Sequence, residues 1–205
     1  MKIYYLKALI LVLSFSNIQE FPSDFDYKLS DIVRRFKEEI MNKDVCENLK
    51  NETNYLVDDI NDSLDKEGEY SYDEVLELKK LKKEAEALEE FIASVGDCGN
   101  YIPSIKDFNL ANQRVNASIS YVIKDKYCVD IILVEIGDYI TYLAKNNSSK
   151  NLTISYKWKV PNGVNRGSGT MGLLKYSVRH IYNNREKLKV KEISIYGINC
   201  KEIGF

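Results

Sequence analysis

The stretch Arg166-Gly167-Ser168-Gly169-Thr170-Met171-Gly172 spaces its glycines as G-x-G-x-x-G. That spacing lets backbone N–H groups and the start of a helix face a phosphate, because glycine permits close approach. His180 is the only histidine and follows Tyr176 and Ser177 by about one helical turn. A nucleophile and a base so placed need a third group to orient them. The sequence offers none, so a surface or boundary position is expected for His180. A single histidine also excludes a multi-histidine metal site within the chain. Glu84, Glu86, Glu89 and Glu90 are close in sequence, yet paired catalytic acids need different environments to separate their pKa values. Lying beside Lys79, Lys80, Lys82 and Lys83, they read as a solvated helix face with i,i+4 pairs. Asp58, Asp59, Asn61, Asp62 and Asp65 offer oxygen atoms but lack the glycine and closing glutamate of a calcium loop. No metal and no cofactor are expected.

A stronger signal lies in the cations. Lys157, Lys159, Arg166, Lys175, Arg179, Arg185, Lys187, Lys189 and Lys191 crowd the last quarter of the chain, interleaved with Tyr156, Trp158, Tyr176 and Tyr182. If residues 152–160 form a strand, Lys157 and Lys159 share one face and Tyr156 and Trp158 the other. The chain as a whole is nearly neutral, at formal charge −2 over 205 residues. That balance gives no general case for nucleic acid. Residues 17–100 nevertheless hold 11 basic against 23 acidic residues, and residues 101–205 hold 16 against 8. The basic half is therefore expected either to dock on the acidic half or to meet an external anionic partner. Cleavage at Arg34-Arg35 or near Lys79–Lys83 would unmask a basic surface held in the first arrangement.

The same boundary separates two periodicities. Leu29, Ile32, Val33, Phe36 and Ile40 are three and four residues apart, as on a helix face. Leu49, Leu56, Ile60 and Leu64 continue the rhythm in a stretch expected to be a frayed acidic helix. Ser71-Tyr-Asp-Glu74 is a capping box, Val75 to Val95 carry an apolar stripe, and Gly96 is a stop. Lys66-Glu-Gly-Glu69 reads as the turn of this helical hairpin. After Pro103 the period falls to two. Strands are expected over 118–123, 127–136, 139–144, 152–160 and 190–198. Gly137-Asp138 suits a two-residue hairpin turn of type II′, and Lys124-Asp-Lys126 makes another tight connection. Between the last two strands, a glycine-rich loop over 161–169 and a helix from Thr170 to about Lys187 are expected.

Over residues 150–205 this order of meander, glycine loop, helix and strand resembles the acetyl-CoA-dependent N-acetyltransferase superfamily. The resemblance rests on Arg166-Gly167-Ser168-Gly169, Asn199 and the closing Gly204-Phe205, with Met171 where that family carries Gly or Ala. It implies an acyltransferase-like enzyme whose loop 166–172 holds the pyrophosphate of a CoA-type ligand at the following helix.

Residues 1–16 have the layout of a secretory signal peptide. Lys2 and Lys7 precede a short apolar run, and Ser14 and Ser16 suit cleavage after Ser16. Six sequons begin at Asn51, Asn61, Asn116, Asn146, Asn147 and Asn151, where roughly two would arise by chance from 18 Asn and 20 Ser or Thr. Four cysteines suit an oxidising compartment. The pairing Cys46–Cys98 with Cys128–Cys200 keeps each bridge inside one half. The chain is thus expected to be α+β, with an N-terminal helical hairpin followed by an antiparallel meander carrying one packed helix. It divides into a signal peptide (1–16), an acidic helical region (17–100) and a basic sheet region (101–205). The expected function is non-enzymatic: a secreted effector, toxin-like protein or inhibitor. It would bind a protein, glycan or anionic membrane through Lys157, Lys159, Arg166, Gly167, Gly169, Lys175 and Arg179.

Overall fold

Apolar residues three and four apart wind the first half into three long helices, α1 (Pro22–Glu39), α2 (Lys43–Leu64) and α3 (Tyr72–Val95). These and all later details come from a computed structural model, which describes residues 21–40, 42–66, 68–98, 102–103, 108–124, 128–160, 166–183 and 193–203. The signal peptide expected over 1–16, and Arg185, Lys187, Lys189 and Lys191, lie outside the described residues. The helix starts are chemically specified. The Asn42 side chain accepts the amides of Asp44 and Val45. At Ser71 the expected capping box forms: the Ser71 hydroxyl accepts the Glu74 amide, and Glu74 accepts the Ser71 N–H at 2.7 Å. The hydrogen bonds from Ser71 hold the Glu74 carboxyl below its ordinary value. Helix α2 is continuous through its acidic stretch rather than frayed, because Leu49, Leu56, Val57 and Ile60 are buried against the other helices. Among the described residues, no cluster of ligand types could hold a metal, and no helix is long and apolar enough to cross a membrane.

The second half is a short helix and two antiparallel sheets. Strand β1 (Ile102–Pro103) and helix α4 (Phe108–Val115) lead into β2 (Ser118–Ile123), β3 (Asp130–Ile136) and β4 (Tyr139–Lys145). Then follow β5 (Leu152–Lys159), β6 (Arg166–Leu173), β7 (Ser177–Asn183) and β8 (Ser194–Glu202). One sheet runs β1-β7-β4-β3-β2, the other β6-β5-β8. The β3–β4 turn has Gly137 at φ +56°, while Asp138 is not in the left-handed region, as a type II′ turn requires.

The two sheets and the helices stack as three layers. Ile132, Val134, Ile136, Tyr139 and Leu143 point from β3 and β4 into a core shared with α1, α2, α3 and α4. Their sequence neighbours Ile131, Ile140, Tyr142 and Ala144 point the other way and join Leu152, Ile154 and Tyr156 of β5. The two opposite-facing sets follow from the period of two along each strand. The helical region is thus not a removable cover. Arg34-Arg35 and Lys79–Lys83 lie within α1 and α3, and taking those helices away would bare one whole face of the five-stranded sheet.

Three expectations are corrected here. The helix over 170–187 is replaced, through Asn183, by strands β6 and β7 and the turn between them. Residues 166–169, expected in a loop, are the first half of β6. Among the described residues, apolar contact outweighs charge between the two halves. Each buried aliphatic side chain between helices and sheet contributes about 1.5–3 kcal/mol, while an exposed ion pair contributes ~0.2–1 kcal/mol. Ion pairing across the boundary centres on Arg114 of α4, which holds Asp26 of α1 at 2.6 Å and Glu84 of α3. Glu84 is only 7% exposed, so it belongs to the packed interior and not to the solvated face expected for it. Glu89 is also partly shielded, and burial pushes its carboxyl up.

Cys46 and Cys98 form a disulfide with Cα atoms 6.0 Å apart, joining α2 to the end of α3. Cys128 and Cys200 form a second, at 6.1 Å, joining the approach to β3 with β8. Gly96 ends α3 at an ordinary φ of −79°. Space fixes its identity: a Cβ there would overlap the Cys46 sulfur.

Arg114→Met should lower stability by roughly 3 kcal/mol, because it leaves the Glu84 carboxylate buried without its guanidinium. Adding Glu84→Gln should recover part of that loss in a denaturant titration. Ser71→Ala should destabilise the protein at pH 7. The folded-state value of Glu74 is lowered, so its contribution is present above the ordinary carboxyl range and fades as pH falls through it. The difference between Ser71→Ala and wild type should therefore narrow at acid pH.

Candidate functional site: a basic sheet face and an aromatic cleft

Strand β5 is the centre of the three-stranded sheet, and its alternation sorts the expected binding residues. Leu152, Ile154, Tyr156 and Trp158 face the five-stranded sheet, while Thr153, Ser155, Lys157 and Lys159 face away from it. The register places Arg166 opposite Lys159 and Ser168 opposite Lys157 on β6. On the other side β8 sets Tyr196 opposite Lys157 and Lys201 opposite Thr153. Facing side chains in such pairs lie about 5 Å apart. Lys157, Lys159, Arg166 and Lys201 therefore form one exposed, flat cationic field. Lys159 Nζ sits 5.8 Å from the centroid of Tyr196, which is 41% exposed. Among the described residues no carboxylate pairs with these four cations. Glu202, at the end of β8, is held instead by Lys150 at 2.7 Å.

The remaining expected residues lie elsewhere. Gly167 and Gly169 face inward, beneath Trp158 and Tyr156. A Cβ on Gly167 would come within 2.7 Å of the indole, and one on Gly169 within 2.5 Å of the phenol. The glycines leave room for two rings to lie across an edge strand, and they cradle no phosphate. No helix start follows them, so the geometry expected of a CoA-binding loop over 166–172 is absent. Lys175 lies in the β6–β7 turn, where its amide donates to Asn151 Oδ1 at 2.9 Å. Arg179 projects from β7, in the other sheet, and donates to the Gly172 carbonyl at 3.3 Å.

Where β6 and β7 diverge, a cleft of about 440 Å³ opens between the sheets. Trp158 and Tyr182 meet there with ring centroids 5.3 Å apart. Burial pushes the neighbouring Tyr156 hydroxyl above its ordinary value, an effect the charge of Arg179 opposes. The hydroxyl donates to the Ile181 carbonyl at 3.3 Å. His180 is a boundary residue on a strand rather than a helix. Its Nε2 lies 3.1 Å from the Val95 carbonyl at the end of α3, and its Nδ1 lies 4.0 Å from Asp97 Oδ1. Thr141 Oγ1 lies 3.3 Å from the ring but is fully buried and donates to the Tyr182 carbonyl. The arrangement fixes the helix end to the sheet.

The sequons divide by exposure. Asn51 on α2 and Asn116 at the end of α4 are exposed. Asn146 is fully buried, with its amide donating to the Lys150 and Leu174 carbonyls and its oxygen accepting from Ser148. Asn146 cannot carry a glycan in this fold. Asn147 donates to Asp130, Asn151 accepts from Lys175, and Asn61 is half-buried on α2.

Tyr196 and Lys201 were not singled out from the sequence. Tyr196 falls within the strand expected over 190–198, and the strand's extent to Glu202 carries Lys201 onto the basic face as well.

Gly169→Ala should cost about 2 kcal/mol, the usual penalty for overpacking a filled interior. Ser168→Ala, one residue along on the solvent side, should leave the melting temperature unchanged. Comparison with family models, with curated proteins and with solved structures gives no match, so the functional reading rests on this geometry.

Proposed function

We propose that this is a secreted, non-enzymatic interaction protein that binds a polyanion through the outer face of its three-stranded sheet. One observation carries the reading: Lys157, Lys159, Arg166 and Lys201 share a flat face on which no described carboxylate neutralises them. Successive outward residues on a strand are about 6.6 Å apart, so the face offers a two-dimensional array of positive charge. It has no apolar wedge for insertion into a bilayer. Tyr196 instead supplies one ring among cations, which suits the edge of a sugar. A sulfated or otherwise acidic glycan is the partner class that matches best. Two disulfides support a site of action in an oxidising compartment. The signal-peptide layout of residues 1–16 supports the same placement. Glycans at Asn51 or Asn116 would sit on the helical side and leave the basic face open.

Heparin is the probe. The wild-type chain should bind immobilised heparin and elute earlier as salt is raised, because exposed charge is screened. Lys157→Glu with Lys159→Glu should weaken binding about tenfold or more while leaving the melting temperature unchanged. Binding that ignores both salt and this double reversal would refute the reading.

A further inference from the structure

Solvent reaches the two disulfides unequally. Cys46 and Cys98 are 0% and 5% exposed and belong to the core shared by the helices. Cys128, just before β3, is exposed, and its partner Cys200 on β8 is half-buried at the margin of the core between the sheets. A thiolate breaks a disulfide by attacking one sulfur, so access decides which bridge exchanges and at which end. The charge near this bridge is also one-sided. Lys201 follows Cys200 and belongs to the cationic face, and Lys124 stands exposed just after β2. Of the neighbouring carboxylates, Glu202 is held by Lys150 at 2.7 Å, and the buried Asp130 accepts from Asn147. Such a surface draws small anions toward it and repels small cations. Strand β8 lies at the edge of its sheet and pairs with β5. Its register shifts opposite Ser155 and Lys157, where Gly197 has φ +61°, so a bulge divides the strand. Before the bulge, Ile195 is buried. After it, Ile198 and Cys200 are only half-buried, and the exposed Lys150–Glu202 pair adds little. Beyond their ladder to β5, residues 198–202 are tied down mainly by the disulfide.

We propose that Cys128–Cys200 is an exchange site for small anionic thiols, and that opening it releases the C-terminal half of β8. The incoming thiolate bonds to Cys128 Sγ as the sulfur–sulfur bond breaks, and the electron pair leaves on Cys200 as its thiolate. A second thiolate then attacks the added sulfur, forming a small-molecule disulfide and freeing Cys128 as a thiolate. Two thiols are oxidised, the protein bridge takes up two electrons, and each cysteine thiolate gains a proton from solvent. The proposal does not depend on polyanion binding by the basic face.

Mercaptoethanesulfonate is the anionic probe and cysteamine its cationic counterpart. The oxidised, folded chain is held with either thiol, quenched at intervals with an alkylating agent, and digested for mass spectrometry. Mercaptoethanesulfonate should appear first as an adduct on Cys128, with Cys200 alkylated, at least about tenfold faster than Cys46 or Cys98 is modified. Raising the salt should slow this thiol about twofold and speed cysteamine, because screening weakens attraction and repulsion alike. Once the bridge is open, amide hydrogen exchange over residues 198–202 should quicken about tenfold, while Ile195 keeps its protection. Four results would each overturn the proposal: modification of both bridges at one common rate, a first adduct on Cys200, the same salt response for both thiols, or unchanged exchange over 198–202.

Discussion

The fold depends on two strands that are apolar on both faces. Along β3 and β4 nearly every side chain is buried, so neither face of the hairpin can be left to water. One face is met by the helices and the other by the three-stranded sheet. Losing either cover would expose several aliphatic side chains at about 1.5–3 kcal/mol each, an amount comparable with the whole stability of a domain. The remaining elements follow from this demand. Helix α3 carries its buried residues from Leu78 to Val95, where it packs on the other helices and meets the sheet. Strand β5 is half-buried because only one of its faces is used.

Because apolar contacts join the layers, the charges are left on the outer surfaces and stay segregated there. The acidic helices form one side and the cationic sheet face the other, with the largely apolar β3–β4 hairpin between. Such a molecule has a permanent charge axis, and an anionic surface would orient it before contact. Among the described residues, Arg114 pairs across the boundary on the helical side, and His180 lies 4.0 Å from Asp97. Among the described residues, no carboxylate compensates the basic face.

The helices were legible in the sequence because their apolar spacing, the Ser71 cap and the Gly68 turn all point to the same elements. The alternation of Tyr156 and Trp158 with Lys157 and Lys159 likewise showed which face of β5 would be charged. Strand β7 was misread for a physical reason. A bulge inserts Ile181 between His180, opposite Leu143, and Tyr182, opposite Tyr142. Apolar residues then fall at 174, 178 and 181, the spacing of a helix rather than a strand. The glycines of β6 misled differently. Their spacing matches a phosphate loop, yet they are set by rings on the neighbouring strand, and nothing local to residues 166–172 reveals those rings. Glu84 sits in a run of exposed charge, and only the tertiary approach of Arg114 marks it as buried.

The two disulfides also set how tension passes through the chain. Pulled from its ends, the oxidised protein would carry load into α1, cross from Cys46 to Cys98, run through α4 and β2, and cross again from Cys128 to Cys200. The enclosed segments, spanning 52 and 72 residues, lie off that path. Strands β4 to β7, with Lys157, Lys159 and Arg166 among them, would bear no direct force. A molecule held at both ends in a moving fluid or a stretched matrix would keep this face folded until a sulfur–sulfur bond is reduced.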